Sequence, residues 1–85
     1  MIYEVIVTKS AEKALLKIPK SYCTKIIETI DQLAFEPRPF GYIKLKGSSN
    51  LYRVRVGTYR IIYSIDDSIV TVKIIRIGHR KNIYD

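Results

Sequence analysis

Hydrophobic and polar residues alternate with period two over the last third of the chain, and recur with a period near 3.6 in the stretch before residue 36. Residues 52–56 place Tyr52, Val54 and Val56 on one face of a strand and Arg53 and Arg55 on the other. Gly57-Thr58 fits a two-residue hairpin loop with glycine in the first, positive-φ position. That turn predicts that Val56 faces Tyr59, Val54 faces Ile61, and Arg55 lies directly across from Arg60. Three strands are expected at roughly 51–56, 59–66 and 69–77, the last two joined by a turn centred on Asp67-Ser68. Matching the faces across both hairpins gives an apolar side made of Tyr52, Val54, Val56, Tyr59, Ile61, Tyr63, Ile65, Val70, Val72 and Ile74. The opposite side carries Arg53, Arg55, Arg60, Ser64, Thr71 and Lys73, with Ile62 and Ile75 among them, and is expected to be basic and open.

Upstream, Ile2–Val7 reads as a short β-branched strand. Thr8 or Ser10 caps a helix in which Ala11, Ala14, Leu15 and Ile18 recur at i, i+3, i+4 and i+7, and Pro19 ends it. Ser21 opens a second helix with Cys23, Ile26, Ile27, Ile30, Leu33 and Ala34 on one stripe, stopped by Pro37 and Pro39. The short break at Pro19-Lys20 implies an antiparallel helical hairpin. Residues 37–50 form a loop rich in Pro, Gly and Ser, with a short extended piece at Tyr42–Leu45. The expected fold is α+β. An N-terminal strand and a two-helix hairpin pack on one face of a mainly antiparallel sheet, in the order β-α-α-β-β-β.

Eighty-five residues make one domain, 1–85, and a 47% apolar share supplies one core. The apolar runs are too short for a membrane span, and MIYEVIVTKS lacks the basic n-region of a signal peptide. A single cysteine, Cys23, rules out an internal disulfide framework and fits a reducing cytoplasm. With one histidine and one cysteine, neither a standard zinc site nor any other cofactor is expected. The net charge of +7 is one-sided. Residues 1–43 hold six Lys/Arg and five Asp/Glu, whereas residues 44–85 hold nine and three. Excess positive charge on the sheet and tail is the footprint of a polyanion, either nucleic acid or an acidic protein.

Like charges directly opposed across a sheet are destabilising, so Arg55 facing Arg60 marks a place that expects an anion. Arg53, Arg55 and Arg60 cannot accept protons, but they can hold a phosphate and stabilise charge developing on it. His79 is the one side chain of a type that exchanges protons near neutrality. These parts suit metal-free RNA cleavage, in which a 2′-hydroxyl attacks its own phosphate while the protein neutralises phosphoryl oxygens and manages two protons. An aromatic ring can stack the target base.

The helical hairpin, then Leu45-Lys46-Gly47, then Tyr59-Arg60 and the closing Gly78-His79-Arg80-x-x-x-Tyr84 together resemble the RelE/ParE superfamily, specifically the RelE-like toxins of type II toxin–antitoxin pairs. The similarity runs over essentially the whole chain. It implies a ribosome-dependent mRNA endonuclease that cuts the A-site codon, leaving a 2′,3′-cyclic phosphate and a 5′-hydroxyl. In that scheme Arg53, Arg55 and Arg60 bind the phosphate, Arg80 serves the leaving oxygen, and Tyr84 stacks on the base or helps activate the hydroxyl. Family members often carry lysines where this chain has Arg53 and Arg55. Arginine is a poor base, so proton removal passes here to His79, to Tyr84 or to neither. Lys44, Lys46, Lys73, Arg76 and Lys81 are expected to contact RNA. The implied partners are the ribosome with its mRNA and a RelB-like antitoxin with an acidic amphipathic segment, in a hetero-oligomeric complex. Two further classes remain: a ParE-like toxin that inhibits DNA gyrase without cutting nucleic acid, and a non-toxic basic adaptor.

Overall fold

The period-two alternation becomes an antiparallel meander in a computed structural model that describes residues 2–47 and 50–80. Its elements are β1 (Glu4–Val7), α1 (Lys9–Leu16), α2 (Lys20–Leu33), β2 (Ile43–Lys44), β3 (Leu51–Val56), β4 (Tyr59–Asp66) and β5 (Thr71–His79). The strands form one sheet in the order β1-β5-β4-β3-β2. The first hairpin has the expected register, with Val56 opposite Tyr59, Val54 opposite Ile61, and Arg55 opposite Arg60. Gly57 sits at φ +60°, the left-handed region that glycine occupies without cost. β1 lies parallel to β5, from Glu4 opposite Thr71 to Val7 opposite Ile74. A parallel neighbour requires a crossover, and the helical hairpin begins that connection. No helix among the described residues is long and apolar enough to cross a membrane.

Thr8 ends the strand and starts the helix. Its hydroxyl accepts from the Ala11 N–H (3.3 Å) and donates to the Ile75 carbonyl (3.0 Å), so a single side chain caps α1 and ties it to β5. α2 begins a residue before Ser21 and has no side-chain cap; the Pro19 carbonyl accepts from the Tyr22 and Cys23 N–H groups instead. Ala11, Ile26, Ile30 and Leu33 bury themselves against Tyr52, Val54, Ile61, Tyr63, Ile65, Val72, Ile74 and Ile77, so both helices cover one face of the sheet as expected. Ile27 does not join them. One residue on from Ile26 it is rotated by about 100°, and it stands 45% exposed.

Three expectations about the sheet are corrected. The β4–β5 connection is a four-residue loop, 67–70, and Val70 lies in that loop at φ +51° rather than on the strand. Pairing along β5 is also irregular. Ile62 faces Arg76 while Tyr63 faces Ile74, so Ile75 is an extra residue at a β-bulge. A bulge inverts the alternation beyond it. Ile77 therefore turns into the core at 5% exposure, and Arg76 turns outward. Finally, the outer face is not open throughout. Leu45 and Ile62 bury each other there with Leu51 against them, and Arg53 lies on the same face, flanked across the sheet by Ile43 and Ile62, at 4% exposure.

Candidate functional site

The bulge determines which side chains meet at the hairpin end of the sheet. Without it, His79 would continue the face of Lys73, and Arg80 would point toward the helices. With it, His79 pairs with Tyr59 on the helix side, while Arg60 faces Gly78 from the outer side. Arg80 follows one residue later, its N–H donating to the Thr58 carbonyl at 2.8 Å. The turn thus holds the end of β5 against the start of β4.

Arg55, Arg60 and Arg80 line one cavity of about 60 Å³, floored by the Gly57-Thr58 turn and Tyr59. That volume is about two waters' share of liquid, the scale of a single phosphoryl group. Arg55 and Arg80 are exposed and Arg60 is half-buried. Among the described residues, no carboxylate lines the cavity. Three guanidiniums supply forked N–H donors to a tetrahedral anion and hold their charge at any physiological pH.

The other expected residues are not gathered there. His79 packs edge-on against the Tyr59 ring, centroids 5.6 Å apart, on the helix side of the sheet. Arg53 shares the outer face but is buried, so it stands behind the cavity rather than in its wall. Arg76 and Lys73 are exposed on β5, and Lys46 is exposed just after β2. Lys44 pairs with Tyr52, which turns it to the helix side because directly paired residues share a face. Lys81 and Tyr84 lie outside the described residues. Thr58 and Tyr59 were not expected to contribute. Thr58 acts through its carbonyl, which side-chain chemistry does not announce. Tyr59 carries sequence signals in its place beside the glycine turn and in the Tyr59-Arg60 pair, but both read as core and family marks rather than as part of a cavity wall. Gly57 has a second reason to be glycine, since a Cβ there would lie 3.2 Å from the Tyr22 ring.

Arg38 lies away from this cluster. At the other end of β4 its guanidinium forks onto Asp67, with Nη2 2.9 Å from Oδ2 and Nη1 3.4 Å from Oδ1. The Tyr3 hydroxyl donates to the same carboxylate at 2.6 Å. Arg38 first and Tyr3 second hold the Asp67 carboxyl below its ordinary range, and the bond to Asp67 raises Arg38 in return. This pair is a structural tie: the charge of Arg38 is committed to a neighbour.

Comparison with known proteins agrees with this fold. Residues 5–84 match the family model described as the ParE toxin of the type II toxin–antitoxin system parDE. Toxin RelG of Mycobacterium tuberculosis is 35% identical over 85 residues, covering 99% of this chain and 98% of the relative. Putative toxin RelE1 of Methanocaldococcus jannaschii is 35% identical over 89 residues, covering 99% and 97%. In the crystal structure of the archaeal RelE–RelB complex from Pyrococcus horikoshii OT3, the matching chain superposes with a TM-score of 0.84 at 38% identity, over 98% of this chain and all of that one. With a family model spanning nearly the whole sequence and full-length relatives above 30% identity, the chain belongs to the RelE/ParE family of type II toxin–antitoxin toxins.

Proposed function

We propose that this toxin is a ribosome-dependent endoribonuclease that cuts mRNA in the A site. The observation that carries the reading is the convergence of Arg55, Arg60 and Arg80 on one phosphate-sized cavity. In the reaction the 2′-oxygen of one nucleotide forms a bond to the adjacent phosphorus while the P–O5′ bond breaks. The 2′-hydroxyl proton leaves, and a proton reaches the 5′-oxygen. The products are a 2′,3′-cyclic phosphate and a 5′-hydroxyl. Arg55 and Arg60 neutralise the non-bridging oxygens as charge builds on them. Arg80, from the same lining, serves the leaving oxygen. Tyr84 is assigned to the base or to the attacking hydroxyl. His79, on the other face, is removed from the proton relay and supports Tyr59. A RelB-like antitoxin with an acidic amphipathic segment is the partner, masking the same positive surface in a hetero-oligomer, and the site of action is the cytoplasm.

The name of the matching family model favours one rival, a ParE-like inhibitor of DNA gyrase. Induction of the chain without its antitoxin, followed by primer extension on total mRNA, separates the readings. Codon-phased cuts are expected, and Arg60→Ala or Arg80→Ala should reduce them by about 10²–10³, the usual loss for one transition-state donor, while both variants still fold and bind antitoxin. DNA damage without cuts supports the gyrase reading. Unimpaired growth leaves a basic adaptor.

A further inference from the structure

A second cavity lies behind the arginine clamp. β1 stops pairing with β5 at Ile74, so the rest of β5 faces α1 across a gap. The gap is a cavity of about 380 Å³, lined by Ala14 and Lys17 from the α1 side and by Tyr59, Arg76, Ile77 and His79 from the sheet. It is some six times the size of the clamp, at the small end of ligand sites, which run from about 300 to 1,000 Å³. That is room for a nucleobase and its sugar, and far too much for a bare phosphate. Its charged lining is basic, with no carboxylate among the described residues. Tyr59 lines both cavities, and each aromatic wall residue precedes a clamp arginine: Tyr59 before Arg60, His79 before Arg80. The two rings sit edge to face at 81°, an arrangement that fixes them as a wall.

Resting on the ribonuclease reading, we infer that this cavity receives the base of a nucleotide adjoining the phosphate held by Arg55, Arg60 and Arg80. A strand passing over the hairpin end sets its phosphate on the outer side and turns the neighbouring base inward beside Tyr59. Lys17 and Arg76 neutralise the flanking backbone. The clamp supplies sequence-independent affinity, and the base cavity supplies position and preference among bases.

The test measures binding of a fluorescently labelled single-stranded RNA hexamer to the intact toxin, against hexamers carrying one abasic site at each position. One position should lose about tenfold in affinity, within the 1–3 kcal/mol typical of a stacked base. Ala14→Phe fills the cavity from α1, and Ser10→Trp obstructs it from an exposed, uncharged lining position where size does not threaten folding. Thermal melts verify that both fold. In both variants the position-specific loss should vanish while a fully abasic hexamer binds as it does to the wild type. If no abasic position matters in the wild type, or if both variants keep the position-specific loss, the inference fails. It also fails if the variants lose binding of the antitoxin's acidic segment while RNA binding is unchanged, which would make the cavity a protein dock. Arg60→Ala keeps the two levels apart. If that variant does not weaken binding of the fully abasic hexamer, the phosphate clamp itself is wrong; if it does, a missing base effect sinks only the cavity.

Discussion

Arg55→Gln should make the free protein more stable and its binding of anions weaker. Arg55 is exposed and directly opposite Arg60, so the substitution costs little packing and removes one side of a like-charge pair. For two unit charges about 7 Å apart, the repulsion runs from about 0.6 kcal/mol at the dielectric of water to about 2.4 kcal/mol at an effective value near 20. Arg80 on the same cavity adds to it. A net gain of about 1 kcal/mol follows, and for a domain of this size that raises the melting temperature by about 4–8 °C. Thermal unfolding followed by circular dichroism at low ionic strength measures the gain. At about 1 M salt the screening length falls to about 3 Å, and the difference should shrink toward zero. Inorganic phosphate should then raise the melting temperature of the wild type more than that of the variant, since a ligand stabilises the state that binds it. A variant that melts lower than wild type at low salt, or a gain unmoved by salt, would refute the view that Arg55 is kept for an anion at a cost to the fold.

Three other perturbations probe the frame. Tyr63→Phe removes a buried hydroxyl that donates to the Pro37 carbonyl at 2.8 Å, and should cost about 1–3 kcal/mol in denaturant unfolding because that carbonyl is left unsatisfied. Burial pushes the Tyr63 hydroxyl well above its ordinary value, so its contribution is complete below pH ~10 and is lost as pH rises further and the unfolded chain ionises; the Phe variant should show a shallower alkaline limb. Asp67→Asn acts in the opposite range: its carboxyl is held low by Arg38 and Tyr3, so wild-type stability should fall as pH drops below about 4, and the Asn variant, weaker at neutrality, should lose less there. Gly57→Ala forces a Cβ into positive φ and toward the Tyr22 ring; a loss of about 1–2 kcal/mol is expected, and an unchanged melting temperature would show that the turn tolerates another geometry.

The first hairpin was fully legible because its register is fixed by two adjacent residues, Gly57 and Thr58, whose turn chemistry is local. The helices were legible for the same kind of reason, down to Thr8 as one of two possible caps. What escaped was non-local. Nothing in residues 4–7 says that they lie along β5, and nothing in the loop before Leu51 says that Leu45 will cover Ile62. Leu45 and Ile62 close over the very face that the arginine pattern suggested was open, and Arg53 is buried there as a result. The bulge did leave a mark. Val72 and Ile74 keep one parity and Ile75 and Ile77 the other, so the two adjacent isoleucines are where the alternation changes phase.

That phase change is the most consequential residue count in the chain. A regular β5 would carry His79 to the outer face and Arg80 to the helices, placing a titratable ring in front of the hairpin arginines. One extra residue at Ile75 reverses both, and Thr8 secures the reversal by taking the Ile75 carbonyl as a hydrogen-bond acceptor. The site thereby becomes purely cationic among the described residues, and the only imidazole in the chain is set behind it against Tyr59. A cluster of this kind binds whatever anion fits. On the proposed reading, a phosphate of the RNA backbone and a carboxylate of an acidic partner would compete for these guanidiniums, the partner holding further surface besides. Such competition would then be enough for inhibition, and it should be strongest at low salt, where the positive cluster is least screened.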